Sequence, residues 1–199
     1  MARGAFIVVE GLDRSGKTTQ TDLLASRLAT SGVSVERRKF PDRTTDTGQL
    51  IDAYLRGTTD LDDRAIHLLF SANRWEATAS LESRLSAGAT VLCDRYAFSG
   101  VAFSAAKGLP LAWCRAPDVG LPAPDLTLFL DLAPEAAAER GRIWRGALAS
   151  ETRGWVTIDA GRDREAVAQD ILEHVESHVH GIDAPIGRLW VDDDVSPLF

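Results

Sequence analysis

Gly11-Leu12-Asp13-Arg14-Ser15-Gly16-Lys17-Thr18 follows the apolar run Phe6-Ile7-Val8-Val9 and leads into a segment, Thr18 to Ala29, that carries Leu24 and Leu28 on one face. The apolar run predicts a buried strand and the later segment a helix. With strand, loop and helix in place, the G-x-x-x-x-G-K-[ST] pattern is a phosphate-binding loop rather than a chance match in a Gly-rich turn. Gly11 and Gly16 let backbone N–H groups turn inward on a phosphate, and the start of the helix adds partial positive charge. Lys17 reaches the β- and γ-phosphates of a nucleotide, and the Thr18 hydroxyl sits on Mg²⁺.

Composition fits that start. The 199 residues are 45% hydrophobic, enough for one domain with a substantial core. A formal charge of −7 argues against a general nucleic-acid footprint. Mg²⁺ and a few local arginines must therefore handle an anionic substrate, and the expected partners are small molecules rather than nucleic acid or membrane. Cys93 and Cys114 lack metal-ligand spacing and read as core thiols of a reduced, cytoplasmic setting. No apolar run is long enough to span a bilayer. The first strand begins so near Met1 that no cleavable signal or transit peptide is expected.

Outward from the loop, strand and helix patterns alternate. Ser31-Gly32 stops the first helix, and Val33-Ser34-Val35 begins a strand that runs toward Phe40-Pro41. Asp60 is expected to cap a long helix from Leu61 to Leu85, closed by Gly88. Ala89 to Cys93 is a short buried strand, followed by a helix from Ala97 to Lys107. Pro117 to Pro124 is a loop, and Leu126 to Leu132 a strongly apolar strand. Pro134 opens a further helix. Trp155 to Ile158 is the last strand, and Asp163 caps a final helix striped by Val167, Ile171 and Val175. The alternation predicts an α/β, three-layer P-loop NTPase fold, with a parallel five-stranded sheet and helices on both faces. Residues 1–190 are expected to form a single domain and 191–199 an acidic tail.

Ligands of such sheets sit beyond the carboxyl ends of the strands, where the informative residues fall. Asp94 ends an apolar strand, as a carboxylate organising Mg²⁺ or its waters does; a helix-capping role is the simpler alternative. Arg14, Arg43 and Arg95 lie in the loop and at neighbouring strand ends. Three guanidiniums on one pocket suit several phosphoryl oxygens, although each alone is compatible with a surface ion pair. The Asn-Lys-x-Asp signature of a GTPase is absent from the sequence, and the chain is short for an ATPase motor. A small-molecule kinase remains.

Four stretches, Phe40-Pro41-Asp42-Arg43, Leu68 to Glu76, Asp94 to Phe103 and Pro117 to Pro122, resemble thymidylate kinases, most closely the eukaryotic type with Arg in the loop as Asp13-Arg14. The similarity runs from Ala5 to Arg140 and resumes from Glu151 to Trp190. It implies transfer of the γ-phosphoryl group of ATP to dTMP, with Mg²⁺, in a homodimer built on sheet-flanking helices such as Leu61 to Leu85. It implies that Gly11, Ser15, Gly16, Lys17, Thr18 and Thr19 bind ATP, with Arg140 against adenine and the loop holding Ala160 and Arg162 on the other side. It implies a dTMP site of Asp13, Phe40, Arg43, Phe70, Arg74, Arg95, Tyr96, Ser99 and Gly100. There Phe70 stacks on thymine, Arg74 reads its edge, Tyr96 crowds the 2′ position, and Arg43 and Arg95 hold the phosphate. Lys17, Arg14, Asp13 and Arg95 are the implied catalytic residues, and Thr18 and Asp94 the implied metal site. Trp75 is expected in the core, and His67 has no assigned role.

The chain departs from the family pattern after Arg140-Gly141. There the family has a longer lid and a further amphipathic helix, and a segment of roughly twenty residues is absent or replaced by this comparison of lengths. The departure predicts near-normal dTMP binding with poor handling of ATP. It also leaves as an alternative a catalytically weak nucleotide-binding protein of the same fold; a second alternative, independent of the lid, is a deoxynucleoside monophosphate kinase of broader base preference.

Overall fold

The computed structural model describes residues 2–132 and 154–191. Its strands are β1 (Phe6–Gly11), β2 (Val35–Lys39), β3 (Thr90–Asp94), β4 (Leu126–Asp131) and β5 (Trp155–Asp159). They form one sheet in the order β2-β3-β1-β4-β5, with every neighbouring pair parallel. The helices of the described residues are α1 (Lys17–Thr30), α2 (Asp46–Leu55), α3 (Asp63–Ser86), α4 (Ala97–Ala105), α5 (Leu111–Arg115) and α6 (Arg164–Glu176). This is the three-layer α/β architecture expected from the alternating pattern.

Strand periodicity divides the core into two layers. Phe6 and Val8 of β1 pack toward Leu81 and Leu85 of α3 and Phe98 and Val101 of α4. Ile7 and Val9 pack on the opposite side, with Leu24 and Leu28 of α1 and Val167, Ile171 and Val175 of α6. β1 and β3 are buried along their whole length, as continuous apolar runs require of strands covered on both faces. β3 flanks β1 on one side and β4 on the other, so the strand order reverses at β1 and opens a crevice at its carboxyl end.

Several local expectations change. Asp62, not Asp60, caps α3: its Oδ1 accepts from the backbone N–H groups of Arg64 at 2.8 Å and Ala65 at 3.4 Å. α4 ends at Ala105 rather than reaching Lys107, and the chain turns at Gly108 with φ 91°. α2 and α5 were not foreseen. Gly48 lies in the first turn of α2, where Ala or Leu would advertise a helix better. It is required there because a Cβ would stand 1.8 Å from the Asp42 carbonyl oxygen. At five residues, α5 is too short to show a period. The loop expected from Pro117 to Pro124 begins inside a 3-10 turn, Ala116–Asp118. The helix opened by Pro134 lies outside the described residues, as does the acidic tail beyond Val191.

Candidate active site

The phosphate loop is shaped by three unusual backbone positions. Gly11 has φ 146°, and a Cβ there would lie 2.6 Å from the Leu130 carbonyl oxygen of the neighbouring strand. Arg14 has φ 66°, and Gly16, with φ 84°, caps α1 without any side-chain hydrogen bond. The first N–H groups of α1 therefore remain directed at the loop's concave side. Lys17 folds back into the loop, donating to the Leu12 carbonyl and, at 3.3 Å, to the Ser15 hydroxyl. Burial, helped by the positive charge of Arg95, lowers the Lys17 pKa to about 8.

Thr18 and Asp94, the two residues expected at a metal, are in contact. The Thr18 hydroxyl donates to Asp94 Oδ2 at 2.5 Å. Asp94 Oδ1 is buried and has no hydrogen-bond partner. An unpaired carboxylate oxygen beside a hydroxyl is a hard-oxygen pair that suits Mg²⁺. No group of three or more His, Cys, Asp or Glu residues able to hold a metal occurs among the described residues. Lys39, which the sequence did not single out, also reaches this pair, at 3.1 Å from Asp94 Oδ2 and 3.0 Å from the Thr18 hydroxyl.

Arg14, Gly16, Lys17, Thr18, Thr19, Lys39, Asp94 and Arg95 line one cleft of about 220 Å³. Arg43 is not in it. It lines an adjoining cleft of about 440 Å³ with Phe40 and Lys39, and its guanidinium pairs with Asp52 of α2 at 2.7 Å. The expected convergence of three arginines is thus two plus one, with Lys39 common to both clefts. The Arg43 loop is fixed to α3 by Asn73, whose Oδ1 accepts from Asp42 N at 2.7 Å and whose Nδ2 donates to Asp42 O at 3.1 Å.

Arg95 has φ 70°, a conformation that side chains seldom adopt. Its guanidinium pairs with Asp13 and donates to the Ser99 hydroxyl at 3.3 Å. Ser99 in turn donates to Glu10 Oε2 at 2.5 Å, while the backbone N–H groups of Tyr96 and Ser99 donate to Glu10 Oε1 at 2.9 and 3.1 Å. Glu10 is fully buried, and burial raises its pKa against the effect of these donors. It caps α4 from another strand, since Tyr96 at the N-cap has no capping hydrogen bond. Its only sequence signal is an acidic residue ending an apolar strand.

On the base side, Phe70 is half-buried and meets Phe103 at 6.5 Å between ring centroids. Arg74 is held by Asp118, with NH2 2.5 Å from Oδ2 and Nε 3.2 Å from Oδ1. Its NH1 faces Gly100, where a Cβ would stand 3.1 Å away. Tyr96 is buried edge-on against Phe6 and tilted on Phe40, with centroids 5.2 and 5.7 Å apart. Trp75 is not core: it is 41% exposed and donates to the Pro117 carbonyl at 2.7 Å. His67 is buried between α4 and α5. A carbonyl can only accept, so its Nε2 donates to Cys114 O at 2.9 Å and its Nδ1 accepts from Ser104 at 2.7 Å. Cys93 and Cys114 are buried free thiols, as expected.

The loop after β5 is built by its own carboxylate: Asp159 Oδ1 accepts from Gly161 N at 2.9 Å. Ala160 N donates to Asp131 O at 2.9 Å, and Arg162 pairs with Asp170 of α6. Gln20 of α1 ties this loop's exit to the phosphate-loop helix by donating to Arg164 O at 3.0 Å. Arg140 and the segment expected to form a shortened lid lie outside the described residues.

The chain is similar to known proteins over most of its length. The family model for thymidylate kinase matches residues 9–153. The chain is 44% identical to the thymidylate kinase of Danio rerio, covering 94% of this chain and 98% of that protein. It is 42% identical to the human thymidylate kinase, with the same coverage. Both alignments span 207 residues, more than the 199 of this chain, so each relative carries residues with no counterpart here. Among solved structures, the thymidylate kinase of Candida albicans superposes with a TM-score of 0.82 at 31% identity, covering 94% of this chain and 99% of that one.

Proposed function

Because this chain belongs to the thymidylate kinase family, we propose that its two adjoining clefts hold ATP and dTMP for direct transfer of the γ-phosphoryl group, giving dTDP and ADP. The chain is an enzyme that phosphorylates dTMP; the residue roles and the metal are the proposal's own. The observation that carries it is that the two clefts meet at Lys39, with Arg95 and the phosphate loop lining the smaller one and Arg43 the larger.

Phosphoryl transfer asks for position and charge more than for covalent chemistry. The acceptor phosphate is already anionic near neutral pH, so no strong general base is required. The obstacle is repulsion between two anions. Lys17 leaves its loop partners for the β- and γ-phosphate oxygens. Arg14, exposed at the loop's crest, faces the transferring group. Arg95, aligned by Asp13 and Ser99, receives the acceptor phosphate, and Arg43 exchanges Asp52 for it. Gly11, Ser15, Gly16, Thr18 and Thr19 cradle ATP, with Ala160 and Arg162 at its base end. Phe70 supplies a face for thymine and Arg74 a fixed donor for its edge, with Phe40, Tyr96, Ser99 and Gly100 closing the site. Mg²⁺, held by Thr18 and through Asp94, would neutralise charge on the ATP phosphates.

The exposed leucines Leu50, Leu55 and Leu68 of α2 and α3 support a homodimer through these helices; light scattering at micromolar concentration tests it. Among the described residues no helix is long and apolar enough to cross a membrane, and a cytoplasmic enzyme is the proposed setting. The function is tested by coupled release of ADP across a panel of nucleoside monophosphates. The expected result is strong preference for dTMP over the ribose analogue and over purines. Equal kcat/KM for dTMP and dGMP overturns the assigned base site.

A further inference from the structure

Lys39 ends β2, an edge strand, in register with Asp94 of β3. Residues paired across neighbouring strands project to the same face, so the sheet itself brings this ammonium to that carboxylate. The two ends of the contact differ in freedom. The Asp94 side chain is 5% exposed, whereas the Lys39 side chain is 56% exposed and can swing away. The Thr18 hydroxyl completes the cluster. It gives its single proton to Asp94 Oδ2 and accepts from Lys39 Nζ at 3.0 Å. Lys39 thus contacts the same hydroxyl, and the other oxygen of the same carboxylate, as the Thr18 and Asp94 Oδ1 pair that suits a divalent ion.

We propose that Lys39 is a tethered counter-cation of the metal site, holding Thr18 and Asp94 in place until a divalent ion entering with the nucleotide displaces it. The proposal rests on Thr18 and Asp94 being the metal-holding pair. A Mg²⁺–oxygen bond is about 2.1 Å long. An ion on the Thr18 hydroxyl would therefore stand within about 5 Å of an ammonium left in place, and two cations at that separation repel. Binding of the metal and retention of the Lys39 contact are mutually opposed. Two consequences follow. The buried carboxylate of Asp94 keeps a positive partner when no metal is bound, so its orientation is preserved. The metal concentration the enzyme requires is raised, because each ion that enters must remove a charge already present.

The test uses the full chain with saturating ADP and Mn²⁺ as the probe, followed by the electron paramagnetic resonance signal of free Mn²⁺. Lys39→Met is expected to bind Mn²⁺ about tenfold more tightly than the native protein, from loss of one screened cation–cation repulsion. Lys39→Arg, which keeps the charge and reach, is expected to stay within about twofold of native on the same reasoning. Lys39→Gln stands in for the methionine variant if that fails to fold. Unchanged or weaker Mn²⁺ binding in the neutral variants overturns the proposal, as does equal tightening in Lys39→Arg. Asp94→Asn separates the two levels. If it binds Mn²⁺ as the native protein does, the metal-site assignment itself is wrong. If it loses Mn²⁺ while Lys39→Met leaves affinity unchanged, only the role of Lys39 falls.

Discussion

Arg74 and Asp118 form an ion pair with both side chains out of water, 2% and 0% exposed, and Ser71 donates to the same carboxylate at 2.7 Å. The pair spends two of the guanidinium's faces and leaves NH1 beside Gly100. Asp118 is therefore a positioning residue: it fixes which donor of Arg74 meets a base and at what angle. Breaking a buried pair by removing one charge costs about 3–5 kcal/mol, because the other charge stays behind without compensation. Asp118→Asn is expected to lower stability by that order and to raise KM for dTMP more than it lowers kcat. Chemical denaturation and steady-state kinetics check both parts. A destabilised variant with native KM for dTMP would reduce Asp118 to a structural support.

Gly100 gives a milder probe of the same donor. A Cβ there would approach NH1 of Arg74 to 3.1 Å and NH2 to 3.2 Å. Arg74 cannot yield freely, since Asp118 holds its other side. Gly100→Ala is expected to fold, to raise KM for dTMP by about three- to tenfold, the effect of displacing one positioned hydrogen-bond donor by a few tenths of an ångström, and to leave KM for ATP unchanged. Kinetics with each substrate varied in turn provide the check.

The phosphate loop could be read from sequence because its chemistry lies on contiguous backbone and needs only two glycines, a lysine and a threonine in order. The central strands β1, β3 and β4 were legible for a similar reason, since buried parallel strands are apolar almost without interruption, whereas the polar edge strand β2 announced itself only by the alternation at its start. Lys39, Glu10 and Asp118 were not legible as site residues. Glu10 meets Ser99 across 89 positions and Asp118 meets Arg74 across 44, and no local periodicity reports such neighbours. Arg43 was placed with Arg95 because both follow strand ends, but α2, unseen in the pattern, supplies Asp52 and draws its guanidinium aside. Trp75 was misplaced because residue type favours burial, whereas the Pro117 carbonyl offers its indole N–H a partner at the surface.

Lys17 makes nucleotide binding pH-dependent. Burial and Arg95 lower its folded pKa to about 8, from 10.5. Phosphate oxygens arriving beside it favour the charged form and raise that value again. ADP binding is therefore expected to take up protons above about pH 8 and to be nearly proton-neutral, as far as Lys17 is concerned, well below 8. The same shift has a folding consequence. Between about pH 8 and 10.5 the unfolded chain binds more protons, so the Lys17 contribution to stability rises with pH through that range. Calorimetry at pH 8.5 in buffers of different ionisation enthalpy measures the uptake, which should vanish in Lys17→Met. Uptake of equal size in that variant would assign it to another group.

Glu10 controls Arg95 from below. Its Oε1 receives the first N–H groups of α4, and its Oε2 receives the Ser99 hydroxyl, on which Arg95 NH1 also rests at 3.3 Å. One carboxylate thus sets the start of α4, the orientation of Ser99 and the height of the guanidinium over the loop. Glu10→Gln keeps an oxygen for the two backbone donors and removes the charge. An amide NH₂ facing Ser99 cannot accept its proton, so the hydroxyl must turn and the support under Arg95 changes. The expected outcome is a folded protein with kcat for dTMP phosphorylation down by about ten- to a hundredfold, corresponding to 1.4–2.7 kcal/mol of lost transition-state stabilisation. KM for ATP should change less than kcat, because Glu10 acts on the phosphate loop only through a minor effect of its charge on Lys17. Ser99→Ala should show a smaller loss in the same direction, as it removes the bridge but leaves the helix cap. If Glu10→Gln instead raises KM for ATP with kcat preserved, Glu10 acts on the phosphate loop through Gly11 rather than on Arg95. A variant that melts early but retains native kcat would confine Glu10 to capping α4.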